Sequence, residues 1–170
     1  MKIATADLES TLGIAVVQIR SWQAAYVDVF EPAWLAALSV ESRAKRWHEI
    51  IAAKGSHNVV SKHDGHITGF VSFGKCRDDG AAADRGEIFA LYVDPDRWRF
   101  GCGRALLKHA VAQLQADGFN ATSLWVLCAN HQGIRFYEAC GFERVVGSEK
   151  IFEMGGRQIE EVAFVHRHER

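Results

Sequence analysis

The stretch Gly86-Glu-Ile-Phe-Ala-Leu-Tyr-Val-Asp-Pro-Asp-Arg-Trp-Arg-Phe-Gly-Cys-Gly-Arg-Ala-Leu106 runs from an apolar segment through a basic turn into a helix start bracketed by two glycines. The segment from Glu87 to Val93 is apolar on both faces of a strand, which places it centrally in a sheet. Gly101 and Gly103 remove side chains where backbone N–H groups must approach an anion, and the following helix aims its positive dipole end at the same place. A carboxylate, Glu87, lies upstream. A phosphorylated carrier held beside a carboxylate points to group transfer from that carrier.

Downstream, Leu106, Leu107, Ala110, Val111 and Leu114 form one apolar helix face, with Gly118 as the stop. Thr122 to Ala129 reads as a buried strand, and Asn130 caps a short helix to Ala139 that Gly141 ends. Strands are expected over Phe142 to Phe152 and Gln158 to His166, joined at Gly155-Gly156. Upstream, Lys2 to Ala4 is a short strand, and Asp7 caps a helix expected from Leu8 to Phe30, with Leu12, Val16, Ile19 and Val27 as its apolar positions. Pro32 breaks it. A second helical region covers Ala33 to Lys54, with a fresh start available at Ser39 and Gly55 as its end. A hairpin follows, Asn58 to Lys62 and His66 to Phe73 around His63-Asp64-Gly65, and then a polar loop from Arg77 to Arg85. This order predicts an α/β (α+β) fold: a mixed, twisted sheet of about seven strands with helices on both faces, in one domain over residues 1–170.

Composition narrows the partners. With 48% hydrophobic and 24% charged residues and a net charge of -1, the chain has no global attraction to nucleic acid or to an anionic membrane, and neither is predicted as a partner. Its longest apolar runs, such as Leu12 to Val17, fall far short of the roughly 20 residues that span a bilayer. No secretory pattern opens the sequence, so a cytoplasmic location is expected. Cys76, Cys102, Cys128 and Cys140 form no C-x-x-C pair, which argues for reduced thiols. His63 with His66, and His166 with His168, lack acidic or thiol ligands at metal-site spacing, so no metal is predicted.

The glycine pair alone is weak evidence, and its neighbours sort the alternatives. No Gly-Lys-Ser/Thr follows, which disfavours a Walker-type site, and Leu106 stands where a dinucleotide fingerprint needs its third Gly or Ala. Leu91-Tyr-Val-Asp-Pro-Asp-Arg-Trp-Arg-Phe-Gly-Cys-Gly-Arg-Ala-Leu-Leu107 resembles the acetyl-CoA-binding motif of the GNAT superfamily of N-acetyltransferases. Asn130-His-Gln-Gly-Ile-Arg-Phe-Tyr-Glu-Ala-Cys-Gly-Phe142 is similar to a second motif of that superfamily, at the expected distance downstream.

The resemblance implies acetyl-CoA as donor cosubstrate, with the backbone N–H groups of Phe100, Gly101, Cys102, Gly103 and Arg104 on its pyrophosphate and the backbone of Leu91, Tyr92 and Val93 along its pantetheine arm. Asn130 is a candidate contact to that arm. The family usually has Gln or Arg three residues before the first glycine; Trp98 stands there, leaving Arg97 or Arg99 to supply the charge. The reacting amine must lose a proton, since alkylamines titrate near about 10. Glu87, which shares strand parity with Phe89, Leu91 and Val93, is the candidate base, directly or through water, and Tyr137 the candidate acid for the departing thiolate.

The predicted activity is direct transfer to a primary amine of a small molecule: a polyamine, an amino acid or an aminoglycoside-like compound. A protein N-terminus or lysine as acceptor, a non-catalytic acyl-CoA sensor and a nucleotide-phosphate enzyme are the alternatives, and a homodimer is left open. A Cys102-linked intermediate is disfavoured, because the thioester carbon falls several residues away along the strand. Trp22, Tyr26 and Phe30 read as core. The resemblance places the first helix junction over the acceptor, where Asp28 and Glu31 are expected to attract a cationic amine.

Overall fold

The computed structural model describes residues 1–168, so the final two positions of the expected 1–170 domain lie outside the described residues. The elements are β1 Lys2–Thr5, α1 Thr11–Ala25, α2 Pro32–Ala36, α3 Val40–Ala53, β2 His57–His63, β3 His66–Lys75, β4 Arg85–Val93, α4 Cys102–Ala116, β5 Ala121–Leu127, α5 His131–Glu138, β6 Glu143–Arg144, β7 Lys150–Met154 and β8 Arg157–Arg167. The strands form one eight-stranded sheet in the order β1-β2-β3-β4-β5-β8-β6, with β7 also paired to β8. Every pairing is antiparallel except β4 with β5. The strand expected over Phe142 to Phe152 is broken in two by a turn in which Gly147 has φ +77° and the Ser148 hydroxyl donates to Val145 O at 2.7 Å. The sheet is therefore seven positions wide with eight strands, β6 and β7 following one another along β8.

Local chemistry sets the helix bounds. Asp7 accepts from Ser10 N at 2.9 Å, and Ser10 returns a bond to Asp7 N, so a capping box starts the chain through a 3-10 turn into α1. The expected run to Phe30 stops at Ala25, because Tyr26 and Phe30 turn inward to a cluster with Leu35 and Ile159. The expected apolar stripe is corrected in part: Leu12, Val16 and Val27 are exposed, Ile19 is buried as expected, and Ile14, Val17 and Ser21 join it on the buried side together with Gln18. Gln18 belongs there because its Oε1 accepts from the buried Trp47 Nε1 at 2.8 Å, a polar pair that hydrophobic periodicity does not register. Ser39 caps α3 through Ser42 N, and the helix ends at Lys54 in the left-handed region rather than at Gly55.

Two layers of core clamp the sheet. Under α4, Val71, Phe73, Ile88, Leu106, Leu114 and Phe164 pack together, each fully buried Leu or Phe contributing about 1.5–3 kcal/mol. On the other face, Ile14 and Val17 of α1 and Trp47 of α3 meet Val60 and Phe70.

Candidate active site

The parallel pairing of β4 and β5 is short: Arg85, Gly86, Glu87 and Ile88 face Ala121, Thr122, Ser123 and Leu124, and then it ends. Beyond that point β4 stays on β3 up to Val93 while β5 stays on β8 up to Leu127. The two strands splay, and the backbone edge of Phe89 to Val93 is left unpaired by β5, its Val93 carbonyl accepting instead from Trp98 Nε1. A cavity of about 740 Å³ occupies this fork, lined by residues of α1, β4, the turn before α4, β5, α5, β7 and β8.

At one end of the fork lies the start of α4. Gly101 is its N-cap with φ +82°, a conformation that glycine adopts without steric cost, and no side chain caps the helix. The N–H groups of Phe100 to Arg104 form no backbone hydrogen bond among the described residues, so the first-turn donors are free for an anion. Gly101, Gly103 and the side chains of Arg97, Arg99, Arg104 and Arg135 line this end, and none of these four arginines is in a salt bridge among the described residues. Free donors and unpaired guanidiniums fit a diphosphate. Trp98 explains its departure from the charged pattern: its Nε1 donates to Val93 O at 2.8 Å and ties the turn to the strand end. Phe100 turns its side chain to solvent, Cys102 is buried with Sγ 2.9 Å from Ser61 Oγ, and neither of these two lines the cavity. That placement turns the Cys102 thiol into the core rather than toward the cavity.

In the middle of the fork, α5 carries Tyr137. Its ring is held edge-on by Phe136 and Phe142 at 5.2 and 6.0 Å, and its hydroxyl has no hydrogen-bond partner among the described residues. Burial, with smaller contributions from Tyr92 and Cys140, pushes the phenol well above its usual pKa, so the proton stays on. Asn130 Oδ1 caps α5 by accepting from Gly133 N at 2.9 Å, and Nδ2 donates to the Tyr26 hydroxyl at 3.3 Å. A Cβ at Gly133 would lie 2.7 Å from Asn130 Nδ2, so the Asn130 side chain would have to shift to admit one.

Glu87 is only 3% exposed. Arg77 holds its carboxylate on both oxygens, with Nη2 at 2.7 Å from Oε1, and backbone N and Nε at 2.9 and 3.3 Å from Oε2. The same guanidinium lies 4.0 Å above the Phe89 ring. One lone pair on Oε1 remains for a water or an amine. The expected parity is corrected by a β-bulge: Ser72 faces Ala90 and Phe73 faces Ile88, which leaves Phe89 as an extra residue. Glu87 therefore lies opposite Gly74 and Tyr92 opposite Phe70, on the α1 side, while Leu91 and Val93 join the core under α4. All of Glu87, Leu91, Tyr92, Val93, Arg99, Gly101, Gly103, Arg104, Asn130 and Tyr137 line the one cavity.

The far end is walled by the aromatic residues Phe89, Trp125 and Phe152, which the sequence pattern did not single out, together with Trp22 of α1 and Tyr26 just beyond its end. Trp22 and Tyr26, expected as core, therefore line the cavity as well. Asp28 and Glu31 are exposed and outside it, Glu31 instead pairing with Arg157 at 3.5 Å. Arg77, Trp125, Arg135 and Glu161 are cavity-lining positions that the sequence reading missed. Glu161 carried a signal: in Ile159-x-Glu161-x-Ala163 a carboxylate holds an apolar-parity position. Among the described residues no group of three or more His, Cys, Asp or Glu has metal-holding geometry, and no helix is long and apolar enough to cross a membrane.

This architecture is that of a transferase that draws a group from a long phosphate-bearing carrier threaded between two strands. Residues 19–142 match the Acetyltransferase (GNAT) family. The chain is 34% identical over 160 residues to "Uncharacterized N-acetyltransferase YuaI" of Bacillus subtilis (strain 168), covering 94% of this chain and 89% of that one. A shorter match, 41% over 59 residues, covers 35% of this chain and 40% of the Escherichia coli (strain K12) protein named [Ribosomal protein bS18]-alanine N-acetyltransferase. In fold it is similar to a ribosomal-protein-alanine N-acetyltransferase from Brucella melitensis, with a TM-score of 0.77 at 18% identity over 99% of this chain and 100% of that one. It is also similar to the Salmonella typhimurium acetyltransferase yncA with its cofactor acetyl-CoA, at a TM-score of 0.75 and 22% identity over 100% and 95% of the two chains. The chain belongs to the GNAT family of acetyltransferases. It is an N-acetyltransferase with acetyl-CoA as its donor.

Proposed function

We propose that the protein transfers acetyl from acetyl-CoA directly to the primary amine of a small molecule, within one cytoplasmic domain that builds both ends of the site on a single sheet. The observation that carries this reading is the convergence of Glu87, Tyr137 and the open edge of β4 on one cavity of about 740 Å³, a volume suited to small ligands. When bound, acetyl-CoA supplies an acyl carbon activated by its thioester. The N–H groups of Phe100 to Arg104 hold the diphosphate, aided by Arg97, Arg99, Arg104 and Arg135. The open edge of Leu91 to Val93 pairs with the amides of the arm, and Asn130 positions the same segment from α5. Glu87, fixed by Arg77, takes the proton of the attacking amine through a water on Oε1. Tyr137, kept neutral by burial, gives its proton to the departing sulfur.

A mass-spectrometric acceptor screen with labelled acetyl-CoA tests the reading: small primary amines acquire the label and release thiol. Acetyl-CoA binding without thiol release on any amine would sink it. A protein N-terminus is the second reading, favoured by the local match to the E. coli enzyme named for ribosomal protein bS18 alanine. A peptide with N-terminal alanine in the same screen separates the two.

A further inference from the structure

The acceptor end of the cavity carries one charge more than it cancels. Glu87 is neutralised by Arg77 at 2.7 Å. Lys150 sits at the rim with its Nζ 3.2 Å from Asp78 and 3.7 Å from the Trp125 ring centroid. Glu161 faces Lys150 directly across β7 and β8 and faces Leu127 across β5. Even so, its carboxylate forms no hydrogen bond or ion pair among the described residues, since Lys150 has turned to Asp78. The parallel register sets Glu87 level with Ser123, on the sheet face shared by Trp125 and Leu127. Glu161 stands on that same face, across the open end of the fork from Glu87, and both line the cavity.

A half-buried carboxylate without a partner is costly unless a ligand completes it. Desolvation holds its pKa above the usual carboxylate value; Lys150 opposes that shift, and Asp78 and Glu87 add to it. The surrounding walls are the rings of Trp125, one face of which Lys150 already covers, and Phe152, and ring faces attract cations and methylene chains alike. A negative charge set in an aromatic wall, away from the candidate base, matches an ammonium or guanidinium group at the end of a short aliphatic chain.

We propose that Glu161 anchors a second, non-reacting cationic group of the acceptor, so that the enzyme selects amines carrying two positive charges. This deepens, and rests on, the small-amine reading above. It excludes acceptors whose far end is anionic, such as simple amino acids, which Glu161 repels.

Two probes matched in length isolate the effect: 1,4-diaminobutane and butylamine, which differ by one cation. Acetylation by the whole protein is expected to favour the diamine by about ten-fold or more in kcat/KM. Glu161→Gln erases that preference through KM of the diamine, Glu161→Asp retains part of it, and Glu161→Lys shifts preference toward 4-aminobutanoate. Calorimetry of 1,4-diaminobutane on the CoA-saturated protein reads the same subsite without turnover, and Glu161→Gln is expected to weaken that binding about ten-fold. Equal kcat/KM for the two probes in the wild type overturns the proposal, as does an equal fall of kcat for both in Glu161→Gln, which makes Glu161 part of the proton transfer. Glu161-dependent binding of the diamine without acetylation of either probe supports the subsite and removes the small-amine transfer reading instead.

Discussion

The two ends of the cavity are built by opposite means. The proposed donor end relies chiefly on backbone, with arginines around it: an uncapped helix start, a glycine at φ +82° and a strand edge left unpaired by β5. The proposed acceptor end relies on side chains, with Arg77 from a loop, Glu87 from β4, Trp125 from β5 and Glu161 from β8. Backbone recognition suits a carrier whose diphosphate and amides are constant, and it tolerates side-chain change at most positions. Side-chain recognition lets acceptor choice vary without disturbing the donor. Substitutions at the two ends should therefore separate kinetically.

The largest effect is expected at Glu87, where Glu87→Gln lowers kcat/KM for the amine by about a hundred-fold or more, most severely at low pH where more of the amine is protonated. Calorimetry should find acetyl-CoA affinity almost unchanged; a comparable loss there would break the division between the ends. Tyr137→Phe follows, with kcat reduced about ten-fold by loss of a hydrogen bond to developing charge. The raised phenol pKa sets the sign of its pH behaviour: the acid form persists above the ordinary value of about 10. Wild-type rates should show no alkaline fall below about pH 9 that Tyr137→Phe abolishes, and such a limb would count against the assignment.

At the donor end, Gly101→Val forces a β-branched residue to positive φ, and acetyl-CoA affinity should fall about ten-fold. Turnover at saturating donor should change much less, and a collapse of kcat instead would mean that the turn shapes the acceptor end too. The smallest effect is expected for Arg135→Ala, a weakening of acetyl-CoA by about three- to five-fold that fades in high salt. Insensitivity to salt would show that Arg135 acts by packing rather than by charge.

The same contrast governs what the sequence revealed. The donor end is contiguous, so Gly101, Gly103 and the strand before them could be read together, and Asn130 to Phe142 stood in register downstream. The order of elements along the chain was legible too, because turn residues punctuated almost every strand. The acceptor end was not, since Arg77, Trp125 and Glu161 meet only after β5 and β8 have paired. Asp28 and Glu31 illustrate the error: local charge near a helix junction suggested a site that the inward turn of Tyr26 and Phe30 moves elsewhere. Gln18 and Trp47 mislead differently, since a satisfied polar pair inside the core disguises the buried face of α1.

The bulge at Phe89 has a consequence for comparing this chain with its relatives. One inserted residue acts as a phase shift within β4, so positions before and after it obey different inside–outside rules. Two sequences can thus align letter for letter at the glutamate and still present it to opposite sides of the sheet. Transfer of a role to Glu87, or from it, is sound only between chains that carry the same offset. Deleting Phe89 should be more damaging than replacing it, because it would turn one half of the strand over relative to the other.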